Sequence, residues 1–278
     1  MADGAVRWWQ TLTTVDAGAI ELSDPVVVLP VAAIEQHGPH LPLSTDLEIG
    51  LGLLSQAFGR LPDDFPAWAL PPQAIGCSRE HAHFPGPLSL EPEQLSALIE
   101  GTGEALARTG VRRLVLSNSH GGNRRALETA GLRLRDELGM LVVHASWFRF
   151  PRPDDVDLPE EEWLHGIHGG AVETAMMMHL RPDLVRTSQA ARARSLGEEL
   201  GQTLRRVSPE GAASFSWLAG DLHPDGAVGD ATLADADLGA RFVSHYGAVL
   251  AEVIEDARAF PLDRLGDRLE DRPVEDAP

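Results

Sequence analysis

The chain has 278 residues, 43% hydrophobic and 23% charged, which suits a globular α/β fold able to bury a substantial core. Its 42 acidic and 23 basic residues give a formal net charge of −19, which argues against nucleic-acid binding, since phosphate contacts need clustered cations. Cys77 is the only cysteine, so an intrachain disulfide and a thiolate zinc cluster are both excluded.

The opening residues lack a basic segment followed by a long apolar run, and no stretch approaches the ~20 apolar residues of a membrane helix. A cytoplasmic protein with no membrane partner is the expectation. Short β-branched runs then alternate with amphipathic ones, the pattern of a parallel sheet flanked by helices. Residues 25–33 read as a buried strand and 46–61 as a helix, with Ser44, Thr45 and Asp46 as caps. A weaker strand, broken by prolines, is expected at 68–76. Residues 91–110 form a helix framed by Pro92 and Gly110. Next come a strand at 111–119, a helix at 123–139 and a strand at 140–148. The Pro- and acid-rich stretch 151–162 reads as a loop, 170–180 as a helix ended by Pro182, and 235–260 as a long closing helix. Without repeats or linkers, residues 1–262 are expected to form one domain, followed by a polar tail at 263–278.

In open α/β sheets the site lies beyond the carboxyl ends of the strands. Three polar clusters fall at such places: "EQHGPH…TD" after the first strand, "SNSHGGN" after the strand at 111–119, and "HGIHGGAVET" entering a helix. Glu35 and His37 are two apart, so an extended segment projects both from one face. Asp46 either caps its helix or ligates a cation. His120 ends a strand, and Gly121 and Gly122 let backbone or ligand approach closely. Carboxylates and imidazoles without thiolate suit Zn²⁺, Mn²⁺ or Fe²⁺. A shared carboxylate such as Asp46 would give a two-metal hydrolytic centre using a bridging hydroxide. Each group alone has a structural reading; it is their joint placement at strand ends that favours a metal site.

The wording of the motifs goes further. "EQHGPHLPLSTD", "SREHAHFPGPLSL", "SNSHGGN" and "HGGAVET" resemble the successive signatures of the creatininase family of metal-dependent amidohydrolases. The likeness runs in matching order from about residue 25 to 260, with "GAVGDATLADADLG" resembling a late Gly-Asp-rich segment. The resemblance implies a three-layer α/β/α sandwich with a mostly parallel sheet, a ring-like homohexamer, and two divalent ions per chain, zinc first and manganese or iron as alternatives. It places Glu35, His37, Asp46 and His120 on metal-ligand positions, Asp46 as the bridge. Glu173 falls on a late glutamate, and His168 on the histidine that handles protons; these two form the expected catalytic pair. The family's name-giving enzyme carries a Tyr-Glu pair where this chain has Gly121 and Gly122, and that glutamate holds its second metal. Glu173 is the expected replacement. Ala171 departs from relatives that have a glutamate there.

The implied reaction is hydrolysis of a C–N bond in an amide, lactam or formamide of a small molecule or short peptide. Within the family, a formamide hydrolase of flavin or deazaflavin biosynthesis and a mycofactocin-type peptide-trimming hydrolase are the alternatives. A non-catalytic metal-binding scaffold or ligand-binding ring is the alternative of another class. Ser78, Glu80, His81 and Gly121 are expected to contact substrate, while Gln36, His40 and Asn123 support the ligands. Trp147, Trp163 and Trp217 are equally suited to the pocket wall or to the core.

Overall fold

The computed structural model describes residues 6–266. Its helices are α1 (Thr14–Ala19), α2 (Thr45–Phe58), α3 (Pro92–Ala107), α4 (Arg124–Leu138), α5 (Glu160–His165), α6 (Ala171–Leu180), α7 (Leu196–Leu200), α8 (Ala219–Leu222) and α9 (Ala236–Ala259). The central sheet comprises β1 (Val26–Val31), β2 (Ala67–Ala69), β3 (Arg113–Asn118) and β4 (Leu141–Ser146). Two small pairs lie outside it: β5 (Arg192–Ala193) with β8 (Gly229–Asp230), and β6 (Val207–Ser208) with β7 (Ala213–Ser214).

The sheet runs β2-β1-β3-β4, parallel throughout. Alternation along β1 sorts its side chains between two cores. Val26 and Val28 pack with Ile49, Met176 and Phe242 of α2, α6 and α9, whereas Val27, Leu29 and Val31 pack with Leu95, Ile99 and Leu127 of α3 and α4. Helices on both faces explain why β1 is apolar along its whole length. The result is an α/β/α sandwich. In the register, Val31 stands beside Asn118 and Asn118 beside Ser146, so the carboxyl ends of β1, β3 and β4 are level. The polar clusters emerge at that edge.

At the opposite end, the buried Arg113 ties the sheet to α9. Its guanidinium donates to both carboxylate oxygens of Asp24 at 3.1 Å and to the Ala257 and Phe260 carbonyls at 2.9 and 2.8 Å.

The long elements lie within a few residues of their sequence-based bounds. The strand expected at 68–76 is confined to Ala67–Ala69, since Pro71 and Pro72 offer no N–H to a ladder. The stretch read as a loop ends in α5, where Glu160, Glu161 and Glu162 follow Pro159 and favour the positive end of the helix dipole. The expected tail begins within a 3₁₀ turn, Leu262–Leu265, and its residues 267–278 lie outside the described residues. Among the described residues no helix is long and apolar enough to cross a membrane.

Candidate metal centre

The loop leaving β1 is folded back by backbone bonds. Glu35 N–H donates to the Leu43 carbonyl at 3.0 Å, and Gly38 turns the chain at φ +73°. Glu35 and His37 are thereby driven fully into the interior. Asp46 follows in the first turn of α2 but does not cap it; the N-cap is Ser44, with no side-chain bond. Its carboxylate turns inward instead, leaving Oδ2 buried and without a hydrogen-bond partner. The turn after β3 carries His120 and is braced by two asparagines. Asn118 Nδ2 donates to the His120 carbonyl at 2.8 Å, and Asn123 links the Ala32 carbonyl, at 3.0 Å, to Cys77 N–H, at 2.9 Å. His168 is pinned by Val228 N–H, which donates to its carbonyl at 2.8 Å, and Glu173 stands one turn into α6.

Three of the imidazoles share one logic. His120 Nε2 lies 2.8 Å from the Cys77 carbonyl, His168 Nε2 2.6 Å from the Gln36 carbonyl, and His37 Nδ1 3.2 Å from the Glu35 carbonyl. A carbonyl only accepts, so each of these nitrogens carries the hydrogen. The opposite nitrogen is then the one free to bind a metal ion, or a proton in its place, and all three face carboxylates. His120 Nδ1 is 3.1 Å from Glu35 Oε1 and 3.4 Å from Asp46 Oδ2. His37 Nε2 is 3.3 Å from Asp46 Oδ1, 3.9 Å from Glu173 Oε2 and 4.0 Å from Glu35 Oε1. His168 Nδ1 is 3.8 Å from Glu35 Oε1. Lone pair against carboxylate is repulsive unless a proton or a metal ion stands between them. Both oxygens of Glu35, Oδ2 of Asp46 and Nε2 of His37 are buried without a hydrogen bond. Ligands bound at 2.0–2.1 Å around a tetrahedral ion stand roughly 3.3 Å apart, which is the spacing of the shortest contacts here.

His81 is different. Gln36 Nε2 lies 2.8 Å from its Nδ1 and donates to it, so its Nε2 carries the hydrogen and points at Glu35 Oε1, 3.4 Å away. Its N–H faces that carboxylate without bonding it, and it offers no lone pair. Asp46 presents Oδ1 to His37 and Oδ2 to His120, so one carboxylate serves two pockets. One group joins His37, Asp46 and Glu173; another joins Glu35, Glu80 and His120.

The charges respond to this crowding without an ion. Burial alone would raise Glu35, but His120, His81 and His168 hold it well below the usual carboxylate range. Burial opposes the protonation of His37, yet Asp46, Glu173 and Glu35 lift it from 6.5 to about 9. Burial raises Asp46, and it pushes Glu173 up to about 7. His168 goes the other way: burial, then His37 and His81, lowers it well below 6.5.

Of the other sequence candidates, Ser78 is fully buried with an unpartnered hydroxyl, and Glu80 Oε1 stands 3.5 Å from His120 Nε2. Gly121 is exposed beside His120. Gln36 also donates to the Gly226 carbonyl, and His40 Nε2 meets Thr174 Oγ1 at 2.9 Å. Trp147 packs against Tyr246 and Trp163 against Phe242, in the core, while Trp217 Nε1 donates to the Pro209 carbonyl at 3.1 Å.

Sequence reasoning passed over Glu162, which stands just before the site. Its Oε1 accepts from Ala171 N–H and its Oε2 from Asp230 N–H, both at 2.6 Å, and Gly166, Gly170 and Gly229 close around it. It joins the start of α6 to β8 across the loop that carries His168. The glycines at 166 and 170 were the available signal, since each abuts a group with no room for a side chain.

Comparisons with known proteins identify the relatives of this chain. The family profile "Creatininase: Creatinine amidohydrolase" matches residues 10–254. The chain is 35% identical over 220 residues to the mycofactocin precursor peptide peptidase of Mycolicibacterium smegmatis, covering 78% of this chain and 79% of that protein. It is 31% identical over 197 residues to the creatinine amidohydrolase of Pseudomonas putida, covering 66% and 72%. A crystal structure of creatinine amidohydrolase (creatininase) superposes with a TM-score of 0.72 at 25% identity, covering 92% of this chain and 99% of that one.

Proposed function

We infer the function from one premise: the chain belongs to the creatininase family of metal-dependent amidohydrolases. From it we propose that this protein hydrolyses a C–N bond in a short peptide. The carrying observation is the set of buried lone pairs and carboxylates converging with no hydrogen bonds to satisfy them. The preference for a peptide rests on the likeness to the mycofactocin precursor peptide peptidase, which has higher identity and spans more of the chain than the likeness to the creatinine amidohydrolase.

In this proposal Glu35, His120 and Asp46 would hold one divalent ion, and His37, Asp46 and Glu173 would hold a second. Zinc suits this set best, and manganese and iron also fit imidazole and carboxylate donors. Such a pair, when bound, lowers the pKa of water toward ~7 and polarises a carbonyl. The chain's own groups then do the rest. His168 is kept neutral by burial and its Nε2–H is spent on Gln36, so it accepts a proton at Nδ1 and passes it to the departing amine. The unpartnered Ser78 hydroxyl orients the substrate amide, with Glu80, His81 and Gly121 around it. One domain over 1–262, assembly as a homohexamer and a cytoplasmic location complete the proposal.

A screen of lactams, formamides and short peptides, read by released amine or formate, tests it alongside metal analysis. The expected outcome is peptide turnover with about two ions per chain. Turnover of lactams alone would favour the reading suggested by the Pseudomonas putida relative. One fully ligated ion without turnover would make the protein a metal-binding scaffold.

A further inference from the structure

Beside the edge strand β4 a cavity of about 240 Å³ opens against α4. None of the residues gathered at the metal centre lines it. Arg124 reaches it from the first turn of α4, and Arg149 from the turn after β4. Arg133 pairs with Glu100 and Arg152 with Glu160, but Arg124 and Arg149 have neither a hydrogen bond nor an ion pair among the described residues. Glu128 also lines the space, one helical turn past Arg124, without pairing to it.

The fold fixes two further side chains here. Ser146 is only 8% exposed; its Oγ accepts from Asn118 Nδ2 at 3.1 Å, while its own hydrogen meets no acceptor among the described residues. A buried hydroxyl with a hydrogen to give favours an acceptor in the cavity. His144 lies against Gly131, where a Cβ would stand 2.7 Å from its Cε1 and Nε2. Glycine weakens a helix interior, and at this position it gives the ring room. Partial burial outweighs the pull of Glu128 and keeps His144 below its ordinary 6.5, so the imidazole adds no charge at neutral pH.

The charges then select the ligand. Two guanidiniums and one carboxylate leave a single positive charge in excess, in a chain whose formal net charge is −19. One carboxylate neutralises it and matches the planar guanidinium fork, whereas a dianion overshoots and meets Glu128. Leu127 and Phe150 supply an apolar wall, and the volume suits a small molecule. We propose that this cavity binds a small carboxylate with an apolar body, held by Arg124, Arg149 and the Ser146 hydroxyl, at a site separate from the metal centre.

The test is a titration of the zinc-loaded full chain, followed by ligand-observed NMR, with isovalerate, isoamyl alcohol as its neutral counterpart, and sulfate. The expected result is saturable binding of isovalerate, with the alcohol and sulfate at least about tenfold weaker. Arg124→Gln and Arg149→Gln should each weaken isovalerate at least about tenfold, with zinc content unchanged. Glu128→Gln should tighten it at least about threefold by removing a like charge, a gain that misfolding cannot produce. No saturable binding to the unaltered chain would overturn the site. Equal affinity in the arginine variants would place isovalerate on the zinc ions and overturn it too. Sulfate binding as tightly as isovalerate would overturn the choice of a carboxylate. Should an arginine variant melt early, Glu128→Gln decides, and no gain there overturns the proposal.

Discussion

His37 Nε2 lies 3.3 Å from Asp46 Oδ1, and the two are not aligned as a hydrogen bond. The histidine spends its Nδ1 hydrogen on the Glu35 carbonyl, so its Nε2 faces the carboxylate in the dry interior and needs a cation, a proton or a metal ion, between them. An ion between them resolves the contact. His37→Ala should therefore lose about one ion per chain by elemental analysis and lower turnover by at least about a thousandfold. Far-ultraviolet circular dichroism should be unchanged. Full turnover by this variant would remove the two-ion mechanism.

Metal loading should release protons. In the metal-free fold His37 is lifted to about 9, so at neutral pH it carries the proton that an incoming ion must displace. Affinity should tighten as pH rises toward 9, and calorimetry in buffers of different ionisation enthalpy should show proton release. Stability follows by linkage. A histidine raised from 6.5 to about 9 contributes stability that is full below 6.5 and is lost as pH climbs through 9. The metal-free protein should melt progressively lower across that window, and added zinc should reverse the trend. A flat melting profile in the metal-free protein would contradict the pairing.

Ser78→Ala should separate binding from folding. The hydroxyl is buried with no partner, which costs about 1–3 kcal/mol in the folded state. Removing it should leave the melting temperature equal or higher. If the hydroxyl meets substrate, KM should rise roughly tenfold while kcat changes less. A marked loss of stability would show instead that Ser78 supports its loop.

How much of this was legible in the sequence depends on the range of the interaction. The short, unbroken apolar run from Val26 to Val31 announced a buried strand, because successive side chains point to opposite faces and every one is apolar. The crowding of Glu35, His37 and Asp46 was local and visible. What could not be read was direction: whether Asp46 caps α2 or turns inward depends on His120, which lies in the turn after another strand. The same holds for His81, whose role is fixed by a proton that Gln36 dictates. Glu162 was hidden for a further reason. An acid beside two other acids looks like solvated surface, and only the fold brings Gly166, Gly170 and Gly229 around it.

Glu162 offers the sharpest test of how the loop bearing His168 is held. Its carboxylate accepts two backbone N–H groups at 2.6 Å, from Ala171 and Asp230, while Val228, two residues before Asp230, donates to the His168 carbonyl. Glu162→Ala orphans both N–H groups and should cost about 3 kcal/mol, since bonds to charged groups are worth more than neutral ones. Glu162→Gln keeps the shape but turns an amide donor toward one of those N–H groups. It should fold, bind metal, and lose kcat more than KM as His168 drifts. Burial raises Glu162 above its ordinary 4.5, so its contribution to stability is full below 4.5 and declines as pH rises through the raised value. Glutamine does not titrate. The stability gap between the unaltered protein and Glu162→Gln should therefore narrow as pH rises above 4.5 in chemical denaturation. A gap that widens would mean that the two backbone bonds outweigh burial, and an unchanged kcat would mean that His168 is held by Val228 and Gln36 alone.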